Sequence, residues 1–329
     1  MGIKRVLAAA LLLCAAPRPA PAAGEPVSEG CKAMLARDYT GAAALFGKAA
    51  AAGDAEGEVG LGFLHNTGLG VPLDTAKAVS LYSKAAAKKY PKGLYYLARA
   101  HKNGQAGKRD YARAMALFKE AAAAGYPTAN MSVGIMYRLG EGVKADPAAA
   151  KAWLRKAVKA GAPGGVYTEL GQLSWRAGDP AGAVANYRKA TENGELEAAS
   201  PLGYMLANGQ GIGQDRGQAA KLYRLSAENG FSNGQYNLGT IYFSGYAVPR
   251  DKVEALKWML LSARSEGPGN RSDGLAAAYI PKLAATLGGA EIERAEAAAA
   301  REYPLYRANH DAWNAERFCR DESPHLSGE

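Results

Sequence analysis

Aspartate recurs at Asp38, Asp74, Asp110, Asp146, Asp179, Asp215 and Asp251, in steps of 36 residues with one step of 33. Seven and eight places after each stands a mostly apolar pair: Leu45-Phe46, Leu81-Tyr82, Leu117-Phe118, Trp153-Leu154, Asn186-Tyr187, Leu222-Tyr223 and Trp258-Met259. Fifteen places on, five of the seven runs reach a glycine: Gly53, Gly125, Gly161, Gly194 and Gly230. The pattern predicts a helix with both ends marked. An aspartate carboxylate accepts hydrogen bonds from the free amides of a first turn and suits the positive end of the helix dipole. Pro147 and Pro180 follow an aspartate directly, at the helical position that tolerates proline. A glycine past the far end readily takes the left-handed cap conformation. We call this helix B.

A second series leads into each helix B: Leu61-Gly62, Leu97-Ala98, Val133-Gly134, Leu170-Gly171, Leu202-Gly203 and Leu238-Gly239. Three residues after the small one come His65, His101, Tyr137, Ser174, Leu206 and Tyr242, of which Ser174 breaks the preference for a large side chain. Positions four apart share one helical face. A mid-helix glycine costs about 1 kcal/mol relative to alanine, so its recurrence predicts close approach of a neighbouring helix. This is helix A. Glycine-rich turns join A to B: Gly68-Leu69-Gly70-Val71, Gly140-Glu141-Gly142-Val143 and Gly209-Gln210-Gly211-Ile212, with Gly245-Tyr246-Ala247-Val248 as a variant. The fourth pair closes instead with Ala177-Gly178-Asp179, which accounts for the short step, and Lys89 stands where a cap glycine is expected.

A helix reading Ala-x-x-x-Leu-Gly-x-x-Tyr, then Gly-x-Gly-Val, then Asp-x-x-Lys-Ala and Trp/Tyr-x-Lys-Ala-Ala, resembles the Sel1-like repeat, a relative of the tetratricopeptide repeat. Ala129 through Gly161 is the best copy. The resemblance implies an all-α fold, a right-handed solenoid of antiparallel helix pairs over residues 28–267 in about seven repeats. Residues 273–303 are expected as capping helices, with residues 304–329 a partly disordered tail that holds Tyr306, Trp313 and Phe318. No single pair can bury its apolar face alone, so stacking must create the core.

In the related repeats helix A lines the concave side. Carried over, this places Phe63, Tyr95, Arg99, Met131, Ile135, Arg138, Trp175, Tyr204, Tyr236 and Phe243 on the inner face as candidate partner-binding residues. Aromatic side chains, Met and Arg are enriched at binding surfaces, and solenoids commonly use a continuous concave face. The competing reading of any one of these aromatics is packing against the next helix A. The implied function is a scaffold or adaptor that holds another protein, in an envelope or exopolysaccharide assembly or as a regulator of a sensor kinase. Direct recognition of a polysaccharide is the alternative.

The first residues belong to a different kind of segment. Lys4 and Arg5 precede an uncharged apolar run, Val6 to Ala16, and Ala20-Pro21-Ala22 offers a small-x-small cleavage site. This reads as a signal peptide over residues 1–22, too short to span a bilayer. Leu13 is bulky for a lipoprotein signal at Cys14. A periplasmic or secreted protein is expected, with no transmembrane segment. Loss of the leader removes Lys4, Arg5 and Arg18, so the net charge falls by three from +9. The excess is spread along helices as solvated faces, and nothing resembles a nucleic-acid arm. Cys31 and Cys319 remain, and an oxidising compartment permits a bond between them. That bond requires the tail to fold back along the array, so separation alone favours unpaired thiols without deciding the point.

No catalytic or metal motif is recognisable. His-Glu-x-x-His, Cys-x-x-Cys, Gly-x-Ser-x-Gly and the phosphate loop are absent. Gly209-Gln210-Gly211-Ile212-Gly213 follows a helix rather than a strand and matches the repeat turn. His65 and His101 replace the repeat tyrosine, and each aspartate of the ladder is committed to a helix end. Cysteine-rich relatives have been associated with β-lactam binding or hydrolysis, but they carry a disulfide in each repeat, which this chain lacks. The expectation is a non-enzyme without cofactor or metal.

Overall fold

The computed structural model describes residues 25–162, 164–265 and 273–320. The expected signal peptide lies outside the described residues, as does the end of the tail from 321 onward. Seven helix pairs follow one another: α1 (Glu25–Leu35) with α2 (Tyr39–Ala51), α3 (Ala55–Thr67) with α4 (Thr75–Ala87), α5 (Pro91–Asn103) with α6 (Tyr111–Ala123), and α7 (Pro127–Leu139) with α8 (Pro147–Lys159). Then come α9 (Val166–Arg176) with α10 (Pro180–Glu192), α11 (Ala199–Asn208) with α12 (Arg216–Glu228), and α13 (Ser232–Ser244) with α14 (Lys252–Ser265). A short α15 (Asp273–Ala284) and a long α16 (Gly289–Arg320) complete the described residues. There is no strand among the described residues, and the protein is an all-α repeat solenoid.

Every aspartate of the ladder caps a helix B. The carboxylates of Asp38, Asp74, Asp110, Asp146, Asp179, Asp215 and Asp251 accept backbone N–H bonds of 2.8–2.9 Å from the first turn. Each aspartate from Asp74 onward also donates its own N–H to helix A. The acceptors are the carbonyls of His65, His101, Tyr137, Ser174, Leu206 and Tyr242, at 2.9–3.0 Å. That bond uses only backbone, which explains why the position accepts His, Tyr, Ser or Leu.

The recurrent helix A glycine meets the large side chain of its own helix B. A Cβ at Gly62 would stand 2.6 Å from Tyr82 Cε1, and one at Gly171 2.6 Å from Tyr187. Gly30 meets Phe46 in the same way, at 2.7 Å. α1 is therefore a seventh helix A, one that the leucine-glycine signal did not reveal because Gly30 is followed by Cys31 rather than preceded by leucine. The second turn glycine has a separate duty. Gly70, at φ 68°, lies against the Tyr39 backbone at the start of the preceding helix B, where a Cβ would come within contact distance of main-chain atoms. Lys89 takes the left-handed position, φ 58°, without being glycine.

Successive A helices touch one another (α1 with α3, α3 with α5, α7 with α9, α11 with α13), so the A row is the closer-set row and the inner side of the curve. Pair α9–α10 interrupts the regular stacking. α9 starts from Gly165 in the left-handed region, φ 83°, and lacks the glycine-rich turn. A buried carboxylate ties it to the following pair: Glu195 Oε2 accepts from Thr168 Oγ1 at 2.7 Å and from its N–H at 3.1 Å.

The boundary expected at Pro304 is absent, because α16 continues through it. Pro304 is exposed and removes one helical hydrogen bond. The following turn is held from outside: Tyr306 packs on Trp258 at 5.4 Å between ring centroids, and Asn309 Nδ2 donates to Glu228 O at 3.1 Å. α16 leaves α14, passes α12 and reaches α1. There Cys319 is disulfide-bonded to Cys31, with Cα atoms 5.7 Å apart. The expectation of unpaired thiols is corrected by this bond. The tail does fold back, because a helix of 32 residues spans the gap between the two ends of the curve.

Candidate functional site

The inner face has two sectors. In the first, α3, α5 and α7 present Phe63, Tyr95, Arg99, Met131 and Ile135 around a cavity of about 350 Å³, with Asn66, Thr67, Tyr96, Thr128 and Ser132. The last turns of α16 form its roof through Asn314 and Phe318. Phe318 is 2% exposed. It stacks on Phe63 at 4.4 Å, lies 5.7 Å from Tyr96, and meets Phe46 edge-on at 6.5 Å. Lys92, itself buried, puts its Nζ 3.7 Å above the Phe318 ring and donates to Phe318 O at 3.0 Å. Five of the expected concave residues are thus brought together, and Phe63, Tyr95 and Met131 are buried there.

Charges along this row are mostly paired. Lys102 meets Glu141 at 3.0 Å, and Arg138 Nε donates to Glu169 Oε2 at 2.8 Å, bridging α7 to α9. Both members of the second pair are largely buried. Burial pushes the Glu169 carboxyl up and Arg138 pulls it back, the net direction being upward. Arg138 is therefore committed within the fold. Arg99 differs: its guanidinium lies 5.4 Å from the Tyr96 ring centroid and 5.9 Å from that of Tyr95, with no ion pair to any described residue.

The second sector lies beyond the interruption. Trp175 on α9 is 41% exposed and Tyr204 on α11 is 47% exposed. Asn237 Nδ2 on α13 donates to Ser200 Oγ on α11 at 2.9 Å and fixes the spacing there. The remaining two expected residues are partly covered: Tyr236 packs against Tyr279 of α15 at 6.1 Å, and Phe243 lies under Arg250 at 5.4 Å. A further cavity of about 540 Å³ opens where α16 passes the ends of α12 and α14. His310 stands in it, against Phe231 at 5.6 Å. Burial lowers the His310 pKa, Asp311 opposes that and Arg307 adds to it.

Sequence reasoning missed Asn314, Phe318 and His310 as parts of the inner face. The tail aromatics were visible, but their destination depends on where the far end of the array arrives. Among the described residues no group of three or more His, Cys, Asp or Glu is placed to hold a metal, and no helix is long and apolar enough to cross a membrane.

The Sel1 repeat matches residues 33–54, 55–90, 91–126, 127–161, 196–231 and 232–266, more than half the chain, and skips the interrupted pair. Among solved structures, the chain is similar to a protective antigen of uropathogenic Escherichia coli that displays an SLR fold. The TM-score is 0.62 at 24% identity, over 94% of this chain and 65% of that one. This chain thus spans less than two thirds of that relative. It is also similar to a Sel1 repeat protein from Oxalobacter formigenes, with TM-score 0.58 at 22% identity, over 75% of this chain and 98% of that one. At these identities the likeness is one of fold. No curated protein gives a significant match. Six registered matches, set on the capped helix pairs described above, place the chain in the Sel1 repeat family.

Proposed function

We propose that the protein is an exported scaffold that holds a partner protein on the open sector of its inner face, within an envelope assembly or a sensor-kinase system. Sel1 repeats typically serve protein–protein interaction. The observation that carries the reading is the pair Trp175 and Tyr204, large rings left exposed on consecutive A helices while the aromatics of the first sector are covered. Exposed aromatics of this kind anchor interfaces. The apolar leader and the Cys31–Cys319 bond both suit an oxidising compartment outside the cytoplasm.

The test compares the mature protein with a Trp175→Ala, Tyr204→Ala variant in recovery of partners from envelope extracts. The variant is expected to lose proteins that the wild type retains, and unchanged recovery overturns the reading. Fusion of residues 1–30 to a reporter active only after export checks the location. An exposed indole also stacks on sugar rings, so a glycan is the second reading. Quenching of tryptophan fluorescence by envelope polysaccharides, lost with Trp175→Phe, distinguishes it.

A further inference from the structure

We propose that the roofed cavity at Arg99 binds a carboxylate carried next to an apolar group, as at the chain terminus of a peptide ending in an apolar residue. The proposal rests on the concave-face reading and names a chemistry for its closed sector.

Three observations point to it. Arg99 is a cation in a cavity whose lining contains no Asp or Glu. It lines that cavity and forms no ion pair with a described residue, whereas Lys102 and Arg138 on the same row are both paired. A guanidinium presents a planar fork of donors that matches a carboxylate in two parallel bonds. Here its orientation is supported by the faces of Tyr95 and Tyr96.

The neighbouring polar groups are uncharged and include donors. Asn66 Oδ1 accepts from Gln105 Nε2 at 2.9 Å, which leaves the Asn66 side-chain N–H groups directed elsewhere. Ser132 contributes a hydroxyl to the same wall. Phe63, Met131, Ile135 and Phe318 offer an apolar floor for one side chain, beside the polar Thr67, Thr128 and Asn314. A volume of about 350 Å³ lies at the small end of ligand pockets. It takes one residue with its carboxylate, not a folded segment.

The experiment titrates the full mature protein with N-acetyl-phenylalanine, N-acetyl-phenylalaninamide and N-acetyl-glutamate α-amide, followed by ligand-observed NMR. The free acid is expected to bind at about millimolar Kd or tighter. The amide, which lacks the negative charge, is expected to bind at least about tenfold more weakly. The glutamate amide separates the sources: affinity below that of the free acid assigns the pocket to chain termini, and equal affinity, which shows that the apolar neighbour is irrelevant, overturns that assignment. Arg99→Gln is expected to lower acid affinity by about tenfold or more, and Arg99→Lys to recover it only in part. Equal binding of acid and amide to the wild type overturns the proposal even if an Arg99 variant fails to fold. So does absence of acid binding, or an Arg99→Gln affinity equal to wild type. The partner-recovery test depends on Trp175 and Tyr204, so each reading can fail while the other stands.

Discussion

Phe318→Ala isolates the contact that seats the tail. The ring is 2% exposed, between Phe63, Tyr96 and Phe46 and beneath the Lys92 ammonium. Truncating a buried phenylalanine costs about 3–5 kcal/mol, combining lost transfer energy with an unfilled cavity. The cation–π contact with Lys92 contributes about 0.5–2 kcal/mol within the same site. Relief by withdrawal of the tail is blocked, because the next residue, Cys319, is bonded to Cys31. The loss therefore falls on the local opening of α1, α3, α5 and the last turns of α16. Native-state hydrogen exchange reads that opening directly. At 1.4 kcal/mol per factor of ten, amides of this module should exchange about a hundred to several thousand times faster, while those of α12 and α13 change little. If protection of α1 to α5 stays within about threefold of wild type, Phe318 does not hold the closure and the argument fails.

Three further outcomes follow from named contacts. Gly62→Ala gains about 1 kcal/mol of helix propensity, but its Cβ would stand 2.6 Å from Tyr82 Cε1; overpacking of about 1–3 kcal/mol makes a net loss of stability the expected result by thermal melting, and a gain refutes it. Lys89→Gly should have the opposite sign, raising stability by about 1 kcal/mol, since Lys89 occupies φ 58° and its ion pair with Glu120 is exposed. His310 should make the docking of α16 pH-dependent. Its folded pKa is lowered from 6.5 by burial, so the unfolded chain takes up a proton first; the stability is fully present above about pH 6.5 and is lost as pH falls from there through the folded value. Protection factors at residues 306–314, which take out the slower intrinsic exchange at lower pH, should therefore fall on acidification, and His310→Gln should remove that dependence.

The helix pairs were legible because their signals are local. A cap aspartate, a glycine facing an aromatic eight places after the next aspartate, and a turn that needs positive φ each act within the length of one repeat, so one repeat suffices to state them. Gly62 facing Tyr82 and Asp74 capping α4 could be argued from residues 61–82 alone. α1 was the exception within the array: Gly30 performs the same packing without a preceding leucine. Inner-face residues were legible as a stripe but not as sectors. Tyr95 and Tyr204 look alike in sequence, yet one is buried and the other is 47% exposed. Tyr95 is covered by the adjoining Phe118 and Tyr126, whereas the closure over Phe63 and Tyr96 by Phe318 depends on the path of α16, which is the sum of six rotations between pairs. The tail cysteine carried the one available signal, since Cys319 could be bonded only if the ends met.

Closing the array changes what its surface can do. An open solenoid flexes along its whole length, because each repeat touches only its neighbours. Here the Cys31–Cys319 bond and the buried Phe318 join the first repeat to the last helix, so a change in curvature at one pair must be compensated at another. The interrupted pair α9–α10 is where regular stacking is weakest and where Trp175 is exposed. Arg138–Glu169 and Glu195–Thr168 brace that pair on both sides with buried polar contacts. A partner seated on Trp175 and Tyr204 thus meets rings whose spacing is already set. Less conformational entropy is lost on binding than on a free-ended array, which favours affinity from a small contact area.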